Sequence, residues 1–184
     1  LWRADLERPG ETRLTSAAGM EVGETWTPDG RTIVFASGQG GAPNLFAKDL
    51  ATGVERRLLT SARFQLPEDV SPDGSLVAYR ERTEQGDWDL LTVSLTTPDR
   101  PAPLLATSAS EAQGQFAPNG RFLAFASDAS TRREVYISPF PVGGAMELTN
   151  LTNTSGDGIA PFDEKGDLVG LKFRISGQSI LAQV

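Results

Sequence analysis

Four carboxylates, Asp157, Asp163, Glu164 and Asp167, fall close together near the C-terminal end of the chain. Grouped oxygen ligands of this kind could hold a calcium ion. Their spacing does not follow an EF-hand loop, and Asp163 and Asp167 flank a turn, so the reading is turn chemistry and no metal is predicted. Asp87 and Asp89 straddle Trp88 and would point the same way on a strand, which reads as a polar strand edge. An exposed tryptophan can stack on a sugar or anchor a protein interface. Trp26, just before a turn, is expected in the core, whereas Trp2 and Trp88 stand at strand starts, where more exposure is expected.

The missing residue types narrow the chemistry further. The chain has no histidine and no cysteine. This excludes a Ser-His-Asp triad, histidine bases and ligands, cysteine nucleophiles, cysteine–zinc sites and disulfides. Lys and Arg total 17 against 24 Asp and Glu, a net charge of −7. Nucleic acid is therefore not an expected partner, because phosphate binding needs clustered cations. The compact basic pairs, Arg56-Arg57 and Arg132-Arg133, read as solvated surface. No cofactor is predicted. No apolar run is long enough to cross a membrane as a helix.

The elements that must carry these residues are set by a repeat. Thr27-Pro28-Asp29-Gly30 returns as Ser71-Pro72-Asp73-Gly74 and Ala117-Pro118-Asn119-Gly120, with a degenerate copy at Asp163-Glu164-Lys165-Gly166. The glycines step by 44, 46 and 46 residues, a repeat-array period. Pro presets φ, Gly accepts positive φ, and Asp or Asn can bond the local backbone, so each tetrapeptide reads as a turn.

A continuous apolar run follows each turn: Thr32–Ala36, Leu76–Tyr79, Phe122–Ala126 and Leu168–Leu171. These runs are too short for helices and rich in β-branched and aromatic residues, so they predict strands buried on both faces. Third strands are expected at Leu45–Leu50, Leu90–Leu95 and Val135–Phe140, the first two with some alternation, and a fourth strand ends at Thr15, Thr60, Thr107 and Thr152. Four strands in such a period make a β-propeller blade. The predicted fold is all-β, a propeller of about four blades. Its divisions are 1–19 (the end of a blade), 20–62, 63–108, 109–153 and 154–184 (a partial blade). Leu1–Leu6 aligns with Leu45–Leu50, and Ile180–Val184 also reads as a third strand. The count comes to one strand more than four complete blades hold, which predicts an arc of a larger ring. The leading Leu1 in place of Met predicts a processed protein or a piece of one.

The Ser-Pro-Asp-Gly turn followed by an apolar strand resembles the TolB-like, or WD-repeat-like, propeller repeat of bacterial proteins, and the likeness runs over residues 1–184. Trp88–Val93 with Pro103–Thr107, and Arg133–Pro141, look most like the propeller attached to bacterial membrane-anchored serine/threonine kinases. The resemblance implies an extracytoplasmic sensory or scaffolding propeller, periplasmic or at the cell surface. It implies no kinase activity, since the Gly-rich, His-Arg-Asp and Asp-Phe-Gly motifs are absent.

The expected function is non-enzymatic binding of a protein, peptide or other ligand. Two alternatives stand beside it. One is the gating propeller of a prolyl-oligopeptidase-like hydrolase, although the chain has no Gly-x-Ser-x-Gly elbow. The other is self-assembly of copies through open blade edges. Loops joining a fourth strand to the next first strand (Glu21, Glu24, Arg63, Phe64, Glu111, Gln113) should share a face with those joining second and third strands (Gln39, Arg82, Glu84, Arg132, Arg133). With Trp88 they form the predicted binding rim, centred on Glu21, Glu24, Arg63, Phe64, Arg82, Trp88, Arg132 and Arg133.

Overall fold

The computed structural model describes residues 1–5, 7, 9–141, 149–150, 157–159, 165, 171–175 and 178–182. The described elements are all strands. β1 (Trp2–Ala4) and β2 (Glu11–Arg13) form a two-stranded sheet. β3 (Glu21–Trp26), β4 (Thr32–Ser37), β5 (Asn44–Asp49) and β6 (Glu55–Arg57) form a four-stranded meander. β7 (Gln65–Val70), β8 (Leu76–Arg82), β9 (Trp88–Ser94) and β10 (Ala102–Leu105) repeat it. So do β11 (Glu111–Phe116), β12 (Phe122–Ser127), β13 (Glu134–Pro139) and β14 (Thr149–Asn150). β15 (Asp157–Ile159), β16 (Leu171–Ile175) and β17 (Gln178–Ala182) make a last, three-stranded sheet. All pairings are antiparallel. The expected run Leu168–Leu171 and the carboxylates Asp163, Glu164 and Asp167 lie outside the described residues, apart from Leu171.

The turn tetrapeptides behave as their chemistry demands. Gly30, Gly74 and Gly120 take φ of 67°, 73° and 68°, the left-handed region that glycine enters without cost. The Asp29 carboxylate accepts from the Thr27 hydroxyl at 2.6 Å and the Arg31 N–H at 3.0 Å. Asp73 does the same with Ser71 and Ser75. These bonds hold both carboxyls below their usual range.

Sheets stack face to face, which is why the second strands are apolar on both sides. Ile33 and Phe35 of β4 join Leu14, Phe46, Leu1 and Leu50 in the layer against the β1–β2 sheet. Val34, between them on the chain, points the other way and packs with Leu45, Val77, Tyr79 and Val93. Ala78 and Leu90 meet Phe116, Leu123, Phe125 and Tyr136 in the next layer. Each large side chain buried this way stabilises the fold by roughly 1.5–3 kcal/mol. The expected alternation of the third strands is weak: the first four residues of β5 are all buried, because this strand is also sandwiched between sheets.

Trp26 departs from its expected core position. It is 37% exposed, whereas Val70 and Phe116, at the same place in the following repeats, are 5% and 4% exposed. Trp26 lies on the first strand of its sheet, and the two-stranded β1–β2 sheet in front of it supplies only third and fourth strands. Among the described residues no first strand stands there to cover the ring.

Candidate functional site

The loops at the end of the sheets opposite the Pro-Asp-Gly turns converge where β8 hands over to β9. Arg82, the last residue of β8, is the cross-strand partner of Trp88, the first residue of β9. Directly opposed side chains share one face of a sheet, and so does the residue two positions away. Arg82 and Arg80 therefore both reach the indole of Trp88, with guanidinium carbons 5.1 Å and 4.8 Å from the ring centroid. The Phe64 ring packs on the same tryptophan at 5.7 Å, and the Phe64 carbonyl accepts the Arg82 N–H at 2.9 Å.

Arg63, next in the chain, extends the group. Its guanidinium lies 3.1 Å from Glu84 and 3.7 Å from Glu81. The Glu81 carboxylate also accepts from the Gln65 amide at 2.6 Å. Arg63, Glu84, Asp89 and Thr107 line a cavity of about 300 Å³ beside the aromatic pair. Burial raises the Asp89 carboxyl above its usual range, and Arg63 opposes that shift. The Trp88 N–H donates to the Ser110 hydroxyl at 3.3 Å, which ties the rim to the next sheet.

Four of the eight residues expected at the rim thus meet in one cluster: Arg63, Phe64, Arg82 and Trp88. The other four stand apart from it. Glu21 and Glu24 are strand residues of β3 rather than loop residues, because that strand begins earlier than the loop assignment allowed. Glu21 accepts the Thr15 hydroxyl at 2.5 Å, and Glu24 is exposed on the inner strand. Glu111 and Gln113 likewise belong to β11. Arg132 lies 4.0 Å from Glu134, and Arg133 is close enough to Glu68 to favour its charged form. The basic pair Arg56-Arg57 is exposed, as expected, and both side chains also find backbone carbonyls. Arg56 donates to the Leu95 carbonyl of the neighbouring sheet, and Arg57 donates to the Gln39 carbonyl at 2.9 Å.

The sequence reading missed Arg80 and Glu68. Arg80 Nε lies 3.2 Å from Glu68 Oε1 between two sheets, as an ion pair without hydrogen-bond alignment. Burial raises the Glu68 carboxyl, and Arg80 opposes the shift. A signal was present: counting six residues past each turn glycine gives Ala36, Arg80 and Ala126. An arginine where the other repeats keep alanine marks a place where the array is broken.

No group of three or more Asp, Glu, His or Cys that could hold a metal occurs among the described residues. The rim offers stacking surfaces, guanidinium donors and carboxylate acceptors, which are the chemistry of recognition.

Comparison with known proteins agrees with this architecture. The chain is 26% identical over 161 residues to the Tol-Pal system protein TolB of Francisella tularensis subsp. tularensis (strain WY96-3418). That alignment covers 86% of this chain and 36% of the relative, so the chain spans little more than a third of the curated relative's length. The crystal structure of TolB from Acinetobacter baumannii superposes with a TM-score of 0.77 at 19% identity, covering 99% of this chain and 47% of that one. A prolyl endopeptidase structure superposes at 0.59 with 13% identity, over 82% of this chain and 24% of its own, a likeness of fold alone. The family described as the TolB beta propeller domain matches residues 1–157, which hold all three complete turn tetrapeptides and the three four-stranded sheets. On that match the chain belongs to the TolB β-propeller family.

Proposed function

We propose that this chain is a non-enzymatic, protein-binding propeller module that works outside the cytoplasm of a bacterium in a sensory or scaffolding role. The observation that carries the reading is the rim of Arg63, Phe64, Arg82 and Trp88. It joins an aromatic pair to guanidinium groups at the end of rigid strands, the composition in which interface anchors are enriched. The name of the relatives attaches them to the Tol-Pal system, and a protein of a system of that type is the partner class put forward here. The resemblance to kinase-attached propellers offers a second setting for the same module.

The test is site-specific photo-cross-linking in cells that make the intact protein. A photoreactive residue at Gln85, exposed beside the rim and not one of its anchors, should give a discrete adduct with one protein, and one at Arg31, beside the turn at the opposite end of the sheets, should not. The same adducts from both positions, or none from Gln85, would overturn the reading.

Trp26 favours a second reading. Its exposure of 37%, against 5% and 4% at equivalent places, leaves the inner part of one sheet face ready to take a further β-sheet, from more chain or from a second copy.

A further inference from the structure

The first strand of each four-stranded sheet contains a register shift: between Val22 and Thr25 in β3, Pro67 and Asp69 in β7, and Ala112 and Gln115 in β11. Aligned on the turn glycines, Gly23, Pro67 and Gln113 occupy one place, and Thr25, Asp69 and Gln115 another. Bulges re-aim side chains. Between β3 and β7 the space is filled: a Cβ at Gly23 would lie 3.1 Å from Leu66 Cδ2 and 3.4 Å from Pro67 Cδ. Between β7 and β11 it stays open, as a cavity of about 240 Å³ lined by Glu68, Asp69, Gln113, Gly114 and Gln115.

The walls of this cavity are rich in acceptors. Asp69 takes the Phe116 and Val70 N–H groups at 2.8 Å and 2.9 Å. Arg80, Arg133 and the Gln113 N–H support the charge of Glu68. The Oε1 atoms of Gln113 and Gln115 are buried and have no hydrogen-bond partner. Both glutamines line the cavity, and an orphaned buried acceptor is costly, so a donor brought to these amides would relieve two such costs. Gln113 also holds φ at 59°, the conformation that Gly23 supplies at 62° in the sister repeat. Glycine would occupy this place with less strain, so the glutamine is kept against a folding cost.

We propose that this cavity is a subsite for a basic side chain, lysine or arginine, of a polypeptide lying along the inner strands. The proposal rests on the protein-binding reading above and adds to it the chemistry of one partner residue. An alkylammonium or guanidinium brings several N–H donors, enough for both amide oxygens and for Asp69. It also brings a positive charge into a wall where Arg80 already offsets Glu68 but nothing among the described residues is ion-paired with Asp69. The net charge of −7 steers basic partners toward the chain.

The test is an NMR titration of the ¹⁵N-labelled chain with N-acetyl-lysine amide, beside its neutral isostere N-acetyl-norleucine amide and calcium chloride. The side-chain amide signals of Gln113 and Gln115 should shift with the lysine compound and not with the norleucine one. Gln113→Gly should melt no lower than the parent and bind the lysine compound at least about tenfold more weakly. Gln115→Met, which keeps the volume and removes the amide, should do likewise for binding. Equal response to the norleucine compound, no response, or a response to calcium alone would overturn the proposal. Arg82→Ala, which disables the rim, should leave this titration unchanged, so failure of the subsite and failure of the rim can be told apart.

Discussion

The guanidinium of Arg80 rests 4.8 Å over the ring of Trp88, at a place where the flanking repeats have Ala36 and Ala126. Its other side meets Glu68 at 3.2 Å. One arginine therefore links the outer aromatic rim to the inner strand of the same sheet. A buried ion pair adds little net stability, yet losing one partner leaves a charge stranded.

Arg80→Met should therefore destabilise the chain by about 3 kcal/mol, because Glu68 loses the larger of its two cationic supports in a site of low exposure. Adding Glu68→Gln should recover most of that loss. Chemical denaturation of the two single variants and the double variant measures the coupling. Additive losses would mean that the pair is not energetically linked.

Trp88→Ala should cost about 2 kcal/mol, since it removes a half-buried ring that packs on Phe64 and on two arginines. The same variant should weaken partner cross-linking from Gln85. Unfolding curves and adduct yield, measured on the same preparations, check both outcomes.

Glu111 should make stability fall as pH rises. Burial holds its carboxyl above the usual range, opposed by the Thr107 hydroxyl and reinforced by Asp89 and Asp128. The folded state keeps the proton longer than the unfolded chain does. Stability is therefore lost from the unfolded value, about 4.3, up to the raised folded value. Glu111→Gln removes this dependence and retains an acceptor for Thr107, and Gln65 already occupies the equivalent place in another repeat. Melting temperatures of parent and variant should nearly coincide near pH 4 and separate in the variant's favour toward pH 7. Asp29 and Asp73 work in the opposite sense: their lowered carboxyls stabilise the turns above the unfolded value, and that contribution fades as acid reaches the folded one.

Gly114→Ala should cost about 1–3 kcal/mol. A Cβ there would stand 2.9 Å from Leu90 Cδ2, closer than side chains tolerate, so the fully buried Leu90 must change its packing to admit it. Differential scanning calorimetry of the variant is sufficient, and an unchanged melting temperature would mean that the sheets can slide apart at this point.

Association through the Trp26 face should appear in light scattering coupled to size exclusion as a mass that grows with concentration, with a blue shift of tryptophan emission. Trp26→Lys should hold the chain at its monomer mass. A monomer at every concentration would remove the second reading.

The turns and second strands were legible in the sequence because both depend on local rules. Pro-Asp-Gly specifies a turn within four residues, and a run such as Ile33-Val34-Phe35 forces burial on both faces whatever lies opposite. The period then implied stacked sheets, since repeated units with two apolar faces have few other ways to hide them. Part of the rim could be read in the same way, as loops at one end of parallel-stacked meanders bring Arg63 and Phe64 beside Arg82 and Trp88. What only the tertiary structure decided depends on neighbours distant in the chain. The bulges displace Glu68 and Gln113 by one position, a shift that leaves no periodic trace in the sequence. The burial of Trp26, Val70 and Phe116 depends on whether another sheet stands in front of each. The sequence could supply the residue at each of these places, but its surroundings are set by the sheet stacked against it.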